Sequence, residues 1–186
     1  VTNDETKPTV TVTASANPTS GAFTATFTFS EDVTGFAIGD ITVGNGAASN
    51  FNATSASVYT ATITPGADGA VTMDVAADKA ADAAGNNNTA ATQLSVTNDE
   101  TKPTVMITAS ANPTSGAFTG TFTFSEDVTG FVIGDITVGN GAASNFQTTS
   151  ASVYTATITP AADGATTLDV AADKAADAAG NNNTAA

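Results

Sequence analysis

In FTATFTF, Phe23–Phe29, apolar residues alternate with threonines. Successive side chains of a β-strand point to opposite faces, so a period of two residues indicates a strand with one buried face. Phe23, Ala25, Phe27 and Phe29 are predicted to face a core, while the threonines face solvent. PTVTVTA, Pro8–Ala14, repeats the pattern and is predicted to form the strand before it.

After Phe29 the chain continues as short segments rich in Thr, Val, Ile and Phe. Gly, Pro and Asn separate these segments and favour tight turns. The further predicted strands are Ile41–Gly44, a short stretch around Phe51, Tyr59–Thr64, Val71–Ala76 and Thr89–Val96. Ala76–Gly85 has a helix-like composition, and we interpret it as a long loop with at most one helical turn. About seven strands result.

The whole pattern occurs twice, with a period of 95 residues. VTNDETKPTV begins at Val1 and again at Val96, and only nine of the 91 comparable positions differ between the copies. No charged residue is among the nine differences. The sequence predicts two domains, residues 1–97 and 98–186, with residues 1–7 as a linker remnant and 98–103 as the linker. The second copy has no counterpart of residues 92–95, so we expect its last strand to be truncated and the chain to be a segment of a longer protein.

Composition excludes several classes of function. The 186 residues carry 18 carboxylates against four lysines and arginines together, which gives a net charge of −14, and they include no His, Cys or Trp. Without His or Cys, the usual general base, thiolate nucleophile and zinc ligands are missing, so we predict that the chain is not an enzyme. The acidic charge disfavours nucleic acid as a partner, and no apolar run reaches the roughly 20 residues of a membrane span.

Seven short strands in about 95 residues predict an all-β fold, two tandem immunoglobulin-like Greek-key β-sandwiches. The chain also resembles the bacterial Ig-like repeats of very large surface adhesins. The resemblance lies in FTFSEDVTGF, GDITVGNG, YTATITP, ADGAVTMDVAA and DAAGNNNTAA, followed by TNDETKPTV. It implies a row of domains that holds a ligand-binding tip away from a bacterial cell, often with calcium at the domain junctions, and therefore an extracellular, cell-surface location.

Most carboxylates fall in segments that an Ig-type topology brings to one end of each sandwich. These segments are the start of the first strand and the loops that follow the second and sixth strands. In the first repeat the carboxylates concerned are Asp4, Glu5, Glu31, Asp32, Asp40, Asp78 and Asp82. In the second repeat they are Asp99, Glu100, Glu126, Asp127, Asp135, Asp173 and Asp177, which we expect at the junction of the two domains.

Converging carboxylates repel one another, and two lysines per repeat cannot neutralise seven of them. Ca²⁺ is the cation that suits hard oxygen ligands in flexible loops, because it accepts six to eight of them. The 14 residues are therefore candidate Ca²⁺ ligands, with Asp82, Asp99, Glu100 and Asp177 the strongest. A purely solubilising acidic surface is the alternative, since neither an EF-hand loop nor a glycine-rich calcium repeat occurs.

The interpretation that follows is a structural extender of a bacterial surface adhesin that takes part in cell adhesion and biofilm formation. Its partners are neighbouring identical repeats of the same chain and calcium ions. Two alternatives stay open. The chain is a ligand-binding pair of Ig-like domains, or it is the subunit of an extracellular filament in which another chain completes the last strand by strand addition.

Overall fold

The computed structural model describes residues 3–186, so Val1 and Thr2 of the predicted linker remnant lie outside the described residues. The chain divides into two compact units, Val1–Glu100 and Thr101–Ala186. The first unit ends three residues later than the predicted boundary at residue 97. The difference arises because Asn98, predicted to start the linker, belongs to the last strand of the first unit.

The first unit contains seven strands. They are β1 (Val10–Ala14), β2 (Phe23–Phe29), β3 (Ile41–Gly44), β4 (Gly46–Ala53), β5 (Val58–Pro65), β6 (Gly69–Val75) and β7 (Leu94–Asn98). These strands pair with one another antiparallel, in one sheet of order β1-β2-β5-β4 and a second of order β3-β6-β7. This is the strand order of a seven-stranded immunoglobulin sandwich, so the predicted fold class is confirmed.

The second unit repeats the arrangement with six strands. They are β8 (Val105–Ala109), β9 (Phe118–Phe124), β10 (Ile136–Gly139), β11 (Gly141–Thr148), β12 (Val153–Pro160) and β13 (Thr167–Val170). One sheet has the order β11-β12-β9-β8, and β10 pairs with β13 in the other. Within the described residues this unit has no counterpart of β7.

The alternation in Phe23–Phe29 gives the predicted pattern of burial. Phe23, Ala25, Phe27 and Phe29 are all buried, and the threonines between them are exposed or half-buried. They pack with side chains from both sheets into one core. Phe36 lies at the centre of an aromatic cluster, with ring centroids 5.1 Å from Phe29 and 5.2 Å from Tyr59. The Tyr59 hydroxyl donates to the carbonyls of Val33 and Ala56, both at 3.1 Å, and anchors the loop after β2.

The segment Ala76–Gly85 forms a loop without a helix, as predicted, but it is well connected. Thr34 and Ala81 exchange two backbone hydrogen bonds, at 2.8 and 3.0 Å, which join this loop to the one after β2. Two features escaped the sequence analysis. A 3₁₀ turn covers Ile38–Asp40, and β4 is eight residues long rather than a short stretch around Phe51. Within residues 3–186, no helix has the length and apolar character needed to cross a bilayer.

Candidate metal centre

Three carboxylates of the first unit meet at one end of the sandwich. One oxygen from each of Asp4, Glu31 and Asp82 lies within 4.8 Å of the others, and we call these three residues the carboxylate group. Asp4 comes from the segment before β1, Glu31 from the loop after β2, and Asp82 from the loop between β6 and β7. An Ig-type topology predicts this convergence of the three segments.

Backbone contacts explain why the segments meet. Thr9 and Ser30 are joined by two hydrogen bonds, from Ser30 N to the Thr9 carbonyl at 2.9 Å and from Thr9 N to Ser30 Oγ at 3.0 Å. These bonds fix the residue before Glu31 against the start of β1. Thr89 N donates to the carbonyl of Pro8 at 2.9 Å, which attaches the loop before β7 to the same segment.

Asp82 is held by its own loop. Its Oδ1 accepts from the backbone N–H groups of Ala84 and Asn86, both at 2.8 Å, and its Oδ2 accepts from the Asn86 side-chain amide at 2.8 Å. The pKa of Asp82 is lowered from its ordinary value, and the hydrogen bond from the Asn86 side chain is the largest cause. Desolvation acts in the opposite direction, and the backbone donors lower the pKa further. Asp82 is 6% exposed, and three hydrogen bonds hold its carboxylate in one direction.

Glu31 is perturbed in the opposite direction. Desolvation is the largest cause that raises its pKa, and the negative charges of Asp82 and Asp4 raise it further. The ion pair of Lys79 is with Asp40, at 3.7 Å, and thus lies outside the carboxylate group. Glu31 is therefore a carboxyl group whose ionised form is disfavoured both by its surroundings and by its two acidic neighbours.

Two asparagines of the run that follows Gly85 help to shape this centre, and neither is among the residues predicted for the site. The Asn86 side chain also donates to the backbone carbonyl of Asp4 at 3.0 Å. Asn88 is 1% exposed; its Oδ1 accepts from Lys79 N and Ala80 N, both at 2.8 Å, and its amide donates to the carbonyls of Ala76 and Thr89. The run of three asparagines after Gly85 was the available signal, because asparagine side chains commonly bond to nearby backbone groups.

The other predicted ligands of the first repeat lie outside the carboxylate group. Glu5 accepts from the Asn3 side chain at 3.0 Å, and Asp32 is exposed. Asp40 accepts from Ala37 N at 2.9 Å, in addition to its ion pair with Lys79, and so closes the 3₁₀ turn. Asp78 occupies a left-handed turn with φ of 63°, and its N–H donates to the Asn88 carbonyl.

The second unit repeats the local structure around its own carboxylates. Asp177 accepts from the backbone and side chain of Asn181, both at 2.9 Å, and Glu126 is half-buried. Asp135 pairs with Lys174 at 3.9 Å, Asp127 is exposed, and Asp173 has φ of 62°. Asp99 and Glu100 close the first unit, where Asp99 N donates to the Thr19 carbonyl and Glu100 N to Asp68 Oδ1.

The comparisons agree with this architecture. The family model for the bacterial Ig-like domain matches residues 4–97 and again residues 99–186, so the chain belongs to the family of bacterial Ig-like domains. The first match starts at Asp4 and the second at Asp99, which is the counterpart of Asp4 one repeat of 95 residues later. No curated protein matches the chain.

Two solved structures of bacterial adhesins are similar to the chain. FdeC, described as an adhesin of Escherichia coli, has 17% sequence identity and a TM-score of 0.40, over 90% of this chain and 58% of FdeC. The adhesin InvE of Yersinia pseudotuberculosis has 17% identity and a TM-score of 0.33, over 96% of this chain and 57% of InvE. The chain thus spans less than two thirds of each of these structures.

Proposed function

We propose that this chain is a non-catalytic extender segment of a bacterial cell-surface adhesin and that calcium bound at the start of each repeat stiffens the row of domains. Membership of the bacterial Ig-like family and the tandem repeat support the extender role. The observation that carries the calcium role is the carboxylate group, in which Asp4, Glu31 and Asp82 converge from three separate segments.

The donors of the carboxylate group suit Ca²⁺. All are carboxylate oxygens, and three carboxylates supply three to six of the six to eight ligands that Ca²⁺ accepts, with the balance from carbonyls and water. Zinc is a poorer match because its structural sites rely on Cys and His, and the chain has neither. The pKa of Glu31, raised first by desolvation and then by the charges of Asp82 and Asp4, supports a cation as well, since a divalent charge would stabilise the ionised carboxylate.

The proposed stiffening depends on which segment of the chain supplies each ligand. An ion held by Asp4, Glu31 and Asp82 cross-links the segment that enters the domain to two of its loops. In the second repeat the residues offset by 95 are Asp99, Glu126 and Asp177. Asp99 directly follows β7, so by this proposal the second ion ties the end of one repeat to the next and limits bending at the joint.

Calorimetric titration of the chain with Ca²⁺ tests the metal role. We expect specific binding, lost from one repeat in Glu31→Gln and from both in the double variant Glu31→Gln with Glu126→Gln. Asp32→Asn with Asp127→Asn is the matched control, because it removes the same number of charges from the neighbouring exposed positions. Equal binding by the two double variants would show that the carboxylate group is not the calcium site.

Small-angle scattering tests the extender role separately. With Ca²⁺ the chain is expected to give a single extended particle, and excess chelator should broaden its distance distribution because the joint bends more freely. Mg²⁺ is the control ion, since it demands a tighter octahedral site and gives up its water reluctantly. Identical profiles under all three conditions would remove calcium from the stiffening mechanism.

A further inference from the structure

The outer face of the four-stranded sheet is built mainly of threonine. In the first unit β2 and β5 present six threonines, all exposed or half-buried, which we call the threonine face: Thr24, Thr26, Thr28, Thr60, Thr62 and Thr64. Pairing places Thr24 opposite Thr62 and Thr26 opposite Thr60, so the side chains form cross-strand rows. The residues offset by 95 in β9 and β12 are again threonines, paired in the same register, and they form the threonine face of the second unit.

The sheet that carries this face has no charged residue. None of the 18 carboxylates and none of the four lysines lies in β1, β2, β4 or β5, or in their counterparts of the second unit. The smaller sheet, by contrast, contains Asp74 in one unit and Asp169 in the other, and the remaining charges lie outside the strands. Two chains that each carry a charge of −14 repel one another. The threonine face is therefore the surface on which two copies approach at the lowest electrostatic cost.

The hydroxyl groups of the threonine face are available for an external partner. Those of Thr26 and Thr60 have no hydrogen-bond partner among residues 3–186, whereas that of Thr62 accepts from the Asn50 amide at 3.3 Å. A hydroxyl both donates and accepts, so an array of hydroxyls is complementary to a copy of itself. Threonine is also β-branched and has little side-chain freedom to lose when an interface orders it.

Met106 adds apolar area beside the threonine face of the second unit. It is 61% exposed and lies in β8 directly opposite Thr123, whose neighbour on the other side is the half-buried Val153. Residues directly opposite in paired strands share one face of the sheet, so the three side chains form one row. Burial of the methionine and of the threonine methyl groups favours association, and the flexible thioether adapts to an irregular contact surface.

We propose that the threonine face binds the threonine face of a second copy of this chain, with the two sheets stacked about 10 Å apart. The contact is isologous, because both copies use the same neutral, self-complementary surface. Neighbouring copies of the protein thus associate side by side. This inference goes beyond the extender role and is independent of the calcium proposal, because no residue of the carboxylate group lies on this face.

The size of the face limits the strength of the contact. Four strands spaced about 4.8 Å apart and about 23 Å long present roughly 450 Å² in each unit. A stable interface needs about 800 Å² per partner, so a single pair of faces gives a weak contact. The affinity between two chains should therefore rise with the number of repeats that they carry, because each further pair of faces adds to the contact.

Sedimentation equilibrium of the full chain tests the proposal. Excess chelator is present throughout, so that calcium cannot bridge carboxylates of two chains. We expect reversible self-association that strengthens between about 0.05 M and about 1 M NaCl, because salt screens the repulsion between acidic chains and leaves the neutral face unchanged. A chain that stays monomeric at about 1 mM protein in about 1 M NaCl would overturn the proposal.

A charge placed on the threonine face should prevent the association. The double variant Thr26→Glu with Thr121→Glu puts one carboxylate in the middle of each face, where association would bury it without a partner. We expect it to associate at least about thirtyfold more weakly than the parent. Ala77→Glu with Ala172→Glu is the matched control, because it adds the same charge at exposed positions after β6 and β13. Equal association of the two double variants would overturn the proposal.

Single cysteines test the location without adding charge. The chain has no cysteine, so each introduced thiol is the only one in its chain. With dissolved oxygen as the oxidant, Thr26→Cys should give disulfide-linked dimers faster than Ala77→Cys, because only the threonine faces of two copies meet. Thermal unfolding of every variant in chelator verifies that it is folded. Cross-linking of Ala77→Cys at an equal or higher rate would place the contact elsewhere and overturn the proposal.

Discussion

Asn86 donates its side-chain amide to the Asp82 carboxylate at 2.8 Å, within the same loop. This bond is the largest cause that lowers the pKa of Asp82, while desolvation and the neighbouring carboxylates raise the pKa of Glu31. Asp82 is thus held in direction by its own loop, and under the proposed calcium role Glu31 is the member of the carboxylate group expected to gain most from a cation. The pKa values of these two carboxyl groups shift in opposite directions.

Glu31→Gln should act in opposite directions with and without calcium. A carboxyl group whose pKa is raised on folding binds protons more tightly in the folded state, so its contribution to stability declines as pH rises through the folded pKa. At neutral pH in chelator, the variant should therefore melt at a higher temperature than the parent. In millimolar Ca²⁺ it should melt at a lower temperature than the parent, because it lacks one of the proposed ligands of the stabilising ion. Thermal unfolding under both conditions, with Asp32→Asn as control, checks the crossover.

Asn88→Ala should destabilise the first unit by about 3 kcal/mol, because buried backbone donors and acceptors lose their partners. Asn87→Ala, the neighbouring exposed residue, is the matched control and should change stability by about 0.5 kcal/mol or less. Urea unfolding of both variants makes the comparison. Equal effects would mean that the hydrogen bonds of Asn88 do not organise the loop.

Tyr59→Phe should cost about 1–2 kcal/mol, because the carbonyls of Val33 and Ala56 lose a donor while the ring packing is kept. The pKa of Tyr59 is raised by desolvation and then by Asp32. A raised tyrosine pKa means that stability falls as pH rises above about 10 through the folded value. Tyr59→Phe should therefore flatten the alkaline part of the stability curve, measured by denaturant unfolding from pH 8 to 12; an unchanged slope would contradict this.

Gly120 and Leu168 should be energetically coupled. Their counterparts in the first unit are Ala25 and Met73, and a Cβ added at Gly120 would lie 3.2 Å from Leu168 Cδ1. The unbranched methionine adapts more easily to an extra methyl group. The double variant Gly120→Ala with Leu168→Met should have a free energy of unfolding about 0.5–1 kcal/mol higher than the effects of the two single substitutions predict when added. A double-mutant cycle measures the coupling, and additive effects would refute it.

The parts of the fold that the sequence predicts are those in which one local pattern dominates. Alternation fixes the inner face of β2, and burial of Phe23 and Phe27 follows from it. GAASNFNA, Gly46–Ala53, does not alternate, and it becomes an eight-residue strand because it pairs with β5 around a register shift between Ser49 and Asn52. Such pairing depends on a distant segment, so no local pattern reports it.

The candidate site, like the fold, is only partly predictable from the sequence. Topology alone predicts that Asp4, Glu31 and Asp82 approach one another, because it determines where each loop lies. It does not predict that Asp40 is bound to Lys79 and to the backbone of its own turn. Those bonds depend on side-chain directions that spacing does not define.

The near-identity of the two repeats has a consequence for folding. β2 pairs with β5 in the first unit, and β9 pairs with β12 in the second. Because β2 and β9 are nearly identical in sequence, as are β5 and β12, β2 could also pair with β12, and β9 with β5. During refolding, neighbouring domains can therefore exchange strands and form misassembled pairs, which is a characteristic failure of repeat proteins. Synthesis from the N-terminus reduces this hazard, because the first domain can complete its sheets before the second emerges.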